Sequence, residues 1–434
     1  VSVPAVSVPA VSVPAVSVPA VSVPAVSVPA VSVPAVSVPA VSVPAVSDLT
    51  VVADGDSYVV GSPHTTEYVA VPELGARIIE WLQQGCDVEE CERRAAEVAG
   101  EPVDVADFLA VLADEGLFAD PENGPPPVER VGAVRERAGR ILFSRVAWVG
   151  YAIAIPVGAA LLATQPRLRP SYRDGFPFST QFANILVVTV LAMAQVCVHE
   201  GAHVVATAAH GLRSSLSVTR RLYFLTFQAD LTRLWSVPRR ARYGPLLAGM
   251  TWDATAMTIM LALEATLAGH LNPLAVRLLR AMVLLRFTGL VTQTMIFMRT
   301  DVYALLVNAT GCKTLWATKG ALLRRYLRRA TPQDQRHLAD VSAAELTWAR
   351  RYLWLYVPGI TVALTYLAYF ALPALFRVLD LCLTPIRAHG LTTVAAWEGA
   401  AALLIVFLPS ALTLFGAARS GVRVMRTAWT RRAG

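Results

Sequence analysis

The sequence predicts a mainly α, polytopic membrane helical bundle of about six spans, with a small winged-helix-like α+β domain on its N-terminal side. Three observations carry that prediction. Of the 434 residues 55% are hydrophobic and mean hydropathy is +0.51, more apolar than a globular chain of ordinary usage. The apolar residues gather into runs long enough to cross a hydrocarbon core, which takes about 20 residues of helix. Residues 48–120 break that pattern with short β-rich runs followed by charged amphipathic helices.

Residues 1–47 are nine copies of VSVPA followed by Val46-Ser47. Proline at every fifth position forbids helix and central strand alike. An odd period also alternates the apolar residues between strand faces, so the tract is expected to be extended and disordered. It lacks the charged start and continuous apolar core of a signal peptide.

In residues 48–120, Leu49-Thr50-Val51-Val52 and Tyr58-Val59-Val60 read as strands around an Ala53–Asp56 turn, with a third at Tyr68–Val71. Pro72-Glu73 then opens a helix with Ile78, Ile79 and Leu82 at helical spacing. Further helices are expected near 88–98 and from about Val103, ending at Glu115-Gly116. Residues 121–145 read as a linker, with prolines from Pro121 to Pro127.

The remainder, 146–434, reads as the membrane domain, with expected spans near 146–163, 183–208, 245–269, 274–298, 352–379 and 393–417. Arginines crowd before span 1 and after spans 2, 4 and 6, while the opposite loops carry few. That asymmetry predicts a multi-pass protein of the cell membrane with both termini cytoplasmic. Topology also accounts for the net charge of +7, and no basic stretch interleaved with aromatics suggests a nucleic-acid partner. Span 4 contains Arg277, Arg280 and Arg286; Arg277 can snorkel, whereas Arg280 and Arg286 need an internal partner or cavity. The five cysteines contain no CxxC and read as reduced thiols.

The chemistry concentrates at His199-Glu200-Gly201-Ala202-His203, an HExxH sequence inside an apolar run. Helical positions i and i+4 share a face, so both imidazoles can reach one zinc ion while Glu200 handles the proton of a zinc-bound water. Asp301 falls at the cytoplasmic end of span 4, at the same depth, and reads either as a third ligand or as a helix cap. Asp253 in span 3 reads either as a residue that orients a ligand histidine or positions substrate, or as an interhelical hydrogen bond. His210, seven residues past His203, reads as a solvated histidine, Asp230 as a turn residue and His270 as part of a loop.

The HExxH span, a small-residue motif in the next span and a carboxylate ending the one after resemble the site-two protease family of intramembrane zinc metalloproteases, whose motifs read HExxH, AGPxxN and LDG. The resemblance covers about 183–310 and implies zinc on His199, His203 and Asp301, with Glu200 as general base. Ala248-Gly249 matches the start of AGPxxN, but Met250 replaces the proline and Asp253 the asparagine. Thr300-Asp301-Val302 replaces LDG. Residues 48–119 resemble the PqqD-like domain, or RiPP recognition element, through Val71-Pro72-Glu73-Leu74-Gly75, Ile78–Leu82 and Val105–Leu109. Such domains bind a precursor leader peptide as an added strand. Together these resemblances imply a zinc endopeptidase acting on a peptide or membrane-protein substrate in peptide maturation or export. The alternative is a non-catalytic zinc-bound scaffold or receptor of a peptide export or immunity system.

Overall fold

The computed structural model describes residues 46–55, 57–62, 67–118, 131–221 and 224–408. The VSVPA tract up to residue 45, the proline-rich part of the expected linker and the end of the last expected span lie outside the described residues.

The N-terminal domain begins with an antiparallel sheet of strands β1 (Thr50–Asp54), β2 (Ser57–Gly61) and β3 (Tyr68–Val71), in that spatial order. Val51 pairs with Val60, and Val60 with Val69, so alternate residues of successive strands face one side. Helices α1 (Glu73–Gln83), α2 (Val88–Ala99) and α3 (Val105–Asp114) cover that side. Asp87 and Asp104 cap α2 and α3 by accepting the backbone N–H of Glu90 and Asp107. Val60, Val69, Ile78, Ile79, Leu82, Leu109 and Leu112 form the core. Val46 from the end of the repeat is buried with them, and its carbonyl accepts from the Gln83 amide.

Among the described residues, four helices are long and apolar enough to cross a membrane: α5 (Arg145–Thr164), α6 (Gln181–Ala208), α7 (Arg239–Leu267) and α12, which runs Ala343–Tyr366. In α7, 44% of the apolar window is buried, against 11% in each of the others, and α5 and α6 both pack on it. Helix α8 (Pro273–Gln293) is long enough, but its three arginines set it apart from the apolar four. It ends five residues short of the expected 298 and gives way to a 3-10 turn at Ile296–Met298.

Two departures from the sequence reading matter. The stretch expected as linker up to 145 contains a helix, α4 (Ala133–Leu142), lying against the end of α6. Gly139 allows this approach, because a side chain there would strike the Val205 carbonyl and the Ala209 amide. The loop after α6 folds into a hairpin of β4 (Leu216–Arg221) and β5 (Phe224–Ala229) rather than irregular chain, and β5 packs on α6.

Beyond α8, Arg299 adopts a left-handed backbone (φ 58°) and turns the chain into α9 (Asp301–Thr310). Helices α10 (Leu315–Tyr326), α11 (Pro332–Asp340) and α12 brace α9 through Tyr303, Trp316, Tyr352 and Tyr356. Helices α13 (Leu372–His389) and α14 (Val394–Leu408) follow.

The N-terminal domain touches the membrane domain through a buried ion pair, Asp54 at the end of β1 with Arg242 in the first turn of α7, at 3.2 Å. Lys313 also donates to the Ser57 hydroxyl at the start of β2.

Candidate metal centre

His199 and His203 are buried on the face of α6 that meets α7, with Asp301 at the start of α9 beside them. Their Nδ1 atoms are committed on one side. His199 Nδ1 donates to Asp253 Oδ2 at 2.7 Å, and His203 Nδ1 donates to the Pro245 carbonyl at 2.8 Å. A carbonyl oxygen only accepts, so the proton on His203 sits on Nδ1. Asp253, an acceptor when ionised, fixes His199 in the same way. In neutral rings both Nε2 atoms are then lone pairs.

Those lone pairs converge on a third acceptor. Asp301 Oδ2 lies 3.0 Å from His199 Nε2 and 3.2 Å from His203 Nε2, and the two nitrogens are 3.3 Å apart. With both Nε2 atoms unprotonated these three acceptors repel, and either a proton on an imidazole or a metal cation at their centre relieves them. Ligand atoms around a tetrahedral zinc at about 2.0–2.1 Å stand roughly 3.3 Å from one another, which these spacings match. The donor set, two imidazoles and one carboxylate, is the composition of a three-ligand zinc site that keeps its fourth position open. Among the described residues it is the one group of three or more such side chains gathered closely enough to hold a metal ion.

Asp301 is the first residue of α9, but its carboxylate does not cap that helix; it turns towards the imidazoles. Gln293, the last residue of α8, holds it from behind. Its Oε1 accepts the Asp301 backbone N–H at 2.9 Å, and its carbonyl accepts the Thr300 hydroxyl at 2.7 Å.

Glu200, 2% exposed, points to the neighbouring hairpin, where its carboxylate accepts the Ala229 backbone N–H of β5 at 2.9 Å. A cavity of about 200 Å³ opens beside it and is lined by His199, Glu200, Gln228, Asp253, Arg286 and Gln293, among others. Arg286 of α8 pairs with the second oxygen of Asp253, so Asp253 ties His199 to a buried guanidinium. Arg280 finds Glu264 of α7 at 2.7 Å. Both interior arginines of α8 therefore have carboxylate partners on α7, as the sequence demanded, while Arg277 is exposed.

Glu200, Asp253 and Asp301 against Arg286 leave two negative charges when all are ionised and the imidazoles neutral. A dication held by the cluster would balance them, and so would protons on the imidazoles.

Of the other sequence candidates, His210 is exposed in the turn after α6 and outside the cluster, and Asp230 accepts the Thr232 N–H in a turn. Sequence reasoning did not find Gln293, the Ala229 amide or the meaning of Gly249. A Cβ at Gly249 would lie 2.5 Å from His203 Nε2 and 2.6 Å from His199 Nε2, so α7 can approach the imidazoles only with glycine there. No known protein-family model, curated protein or solved structure matches the chain.

Proposed function

We propose that the chain is a zinc-dependent membrane endopeptidase, similar in design to the site-two proteases. The observation that carries this reading is the convergence of the His199 and His203 lone pairs on the Asp301 carboxylate, with the Glu200 carboxylate next to them on the same helix. When bound, zinc acidifies water and polarises the scissile carbonyl. Glu200 takes the proton of the attacking water and returns it to the leaving nitrogen as the C–N bond breaks, giving a carboxylate and an amine. Asp253 and the Pro245 carbonyl hold the imidazoles in the tautomer that offers Nε2. A helical substrate has its amides bonded internally, so it must reach the cavity extended.

Six spans, with α8 and the stretch from 393 completing the apolar four, put both termini in the cytoplasm and the cluster towards the inner leaflet. In this reading residues 46–118 are a PqqD-like recognition domain. A precursor leader peptide would add to its sheet at the outer edge of β1, which pairs only with β2 among the described strands. Tethering the substrate there raises its concentration at the protease.

The test is to purify the protein in detergent, measure zinc per chain and follow hydrolysis of a pool of extended peptides by mass spectrometry. Wild type is expected to hold one zinc and cleave. Glu200→Gln should keep the zinc and lose activity by about two to four orders of magnitude. Asp301→Ala should lose the metal. Protein that binds no zinc overturns the reading.

One observation favours a second reading, a non-catalytic zinc-bound scaffold or receptor: the Ala229 amide engages one oxygen of the carboxylate that would serve as base. In that case Glu200→Gln leaves the cellular phenotype intact.

A further inference from the structure

Arg286 is 6% exposed, and its Nε is buried without a hydrogen-bond partner. One guanidinium nitrogen is spent on Asp253, and the side chain lines the cavity that His199 and Glu200 also line. A buried cation with an unspent donor is costly in a setting that offers no bulk water. The fold nevertheless fixes it in place by sharing Asp253 with a histidine of the metal cluster. Gly289 and Gln293 follow one and two turns later on the same face of α8 and line the same cavity. A Cβ at Gly289 would meet nothing within 4 Å, so the wall between the two polar side chains is open.

We propose that Arg286 is a substrate-positioning residue. Its guanidinium donates to a backbone carbonyl oxygen of an extended peptide, one residue from the scissile bond, as the chain crosses Gly289. The inference rests on the peptidase reading and adds to it the part of the substrate that is gripped. Charge selects the oxygen. Three carboxylates, one guanidinium and a dication are neutral together, and a peptide carbonyl leaves them so. A substrate carboxylate would add an uncompensated negative charge in a buried place. The substrate class is therefore an internal peptide bond, and the enzyme cuts within a chain rather than at its C-terminal carboxylate.

The experiment compares three probes by calorimetry on the zinc-loaded, full-length protein in detergent. Acetohydroxamate can reach the metal only. A leucyl peptidyl hydroxamate ending in an amide adds backbone carbonyls. The same compound ending in a free carboxylate adds a charge. Arg286→Met and Arg286→Lys are compared with wild type, and Arg286→Gln, whose amide can still donate to Asp253, guards against misfolding. Zinc content is measured for each.

Wild type should bind the amide probe at least tenfold more tightly than acetohydroxamate. Arg286→Met should lose most of that margin while acetohydroxamate affinity, corrected for zinc content, stays within about twofold. Arg286→Lys should recover part of it. An unchanged margin in the Met variant overturns the proposal and leaves the zinc peptidase standing. The same holds if only the carboxylate-ended probe depends on Arg286. Failure of wild type to bind zinc or acetohydroxamate overturns the peptidase reading itself.

Discussion

Gly249 sets two physical effects against each other. Alanine is favoured over glycine inside a helix by about 0.5–1 kcal/mol, so on propensity alone Gly249→Ala should stabilise α7. Its methyl group would instead press on both imidazoles. We expect Gly249→Ala to lower zinc affinity at least tenfold, read by competition with a chromophoric chelator, with helix content by circular dichroism unchanged. The residues of the cluster differ in how visible they are in sequence. His199, Glu200 and His203 are legible because one helix fixes their spacing. Asp301 and Asp253 are visible as carboxylates at membrane depth, but their partners are not, because those contacts span 98, 102 and 54 residues of chain. The Ala229 amide is invisible in principle, since every residue but proline carries that group.

At the scale of elements, α7 and α8 pair a carboxylate with an arginine twice, and only one pair touches the cluster. Asp253→Ala strips the support from His199 and strands Arg286, so zinc affinity should fall about 10–100-fold. Glu264→Ala leaves Arg280, whose side chain is 40% exposed, free to reach the membrane surface. It should lower the detergent melting temperature by a few degrees and leave zinc content at the wild-type level. The arginines were legible as needing partners because a lone cation is expensive at that depth. The β4–β5 hairpin is marked in sequence by the alternation of Leu216-Ser217-Val218-Thr219 and Leu225-Thr226-Phe227-Gln228-Ala229, but its place is set by packing on α6, which the sequence does not show. The helix α4 was hidden by its neighbours: its charges read equally well as topological signals before a span.

Across the whole molecule, the Asp54–Arg242 pair is the main charged tie between the N-terminal domain and α7 among the described residues. Arg242 lies one turn before Pro245, whose carbonyl holds His203. Breaking one side of a buried ion pair costs about 3–5 kcal/mol, part of it offset here by the Val237 and Trp235 carbonyls and the Trp235 ring. Asp54→Ala should therefore speed hydrogen exchange at the β1–β2 turn and the start of α7, while the β-sheet and helices of residues 46–118 keep their protection. Sequence alone held no sign of this contact, since neither Asp54 nor Arg242 stands out from other turn and loop charges.

The electrostatic imbalance at the heart of the bundle reaches beyond catalysis. If the cluster takes up a divalent ion as proposed, that ion ties α6 to the start of α9 through three side chains, and binding it and holding those helices together become a single event. A chelator should then loosen α6 and α9 together, read as faster hydrogen exchange in both; unchanged exchange would show that the bundle closes without the ion.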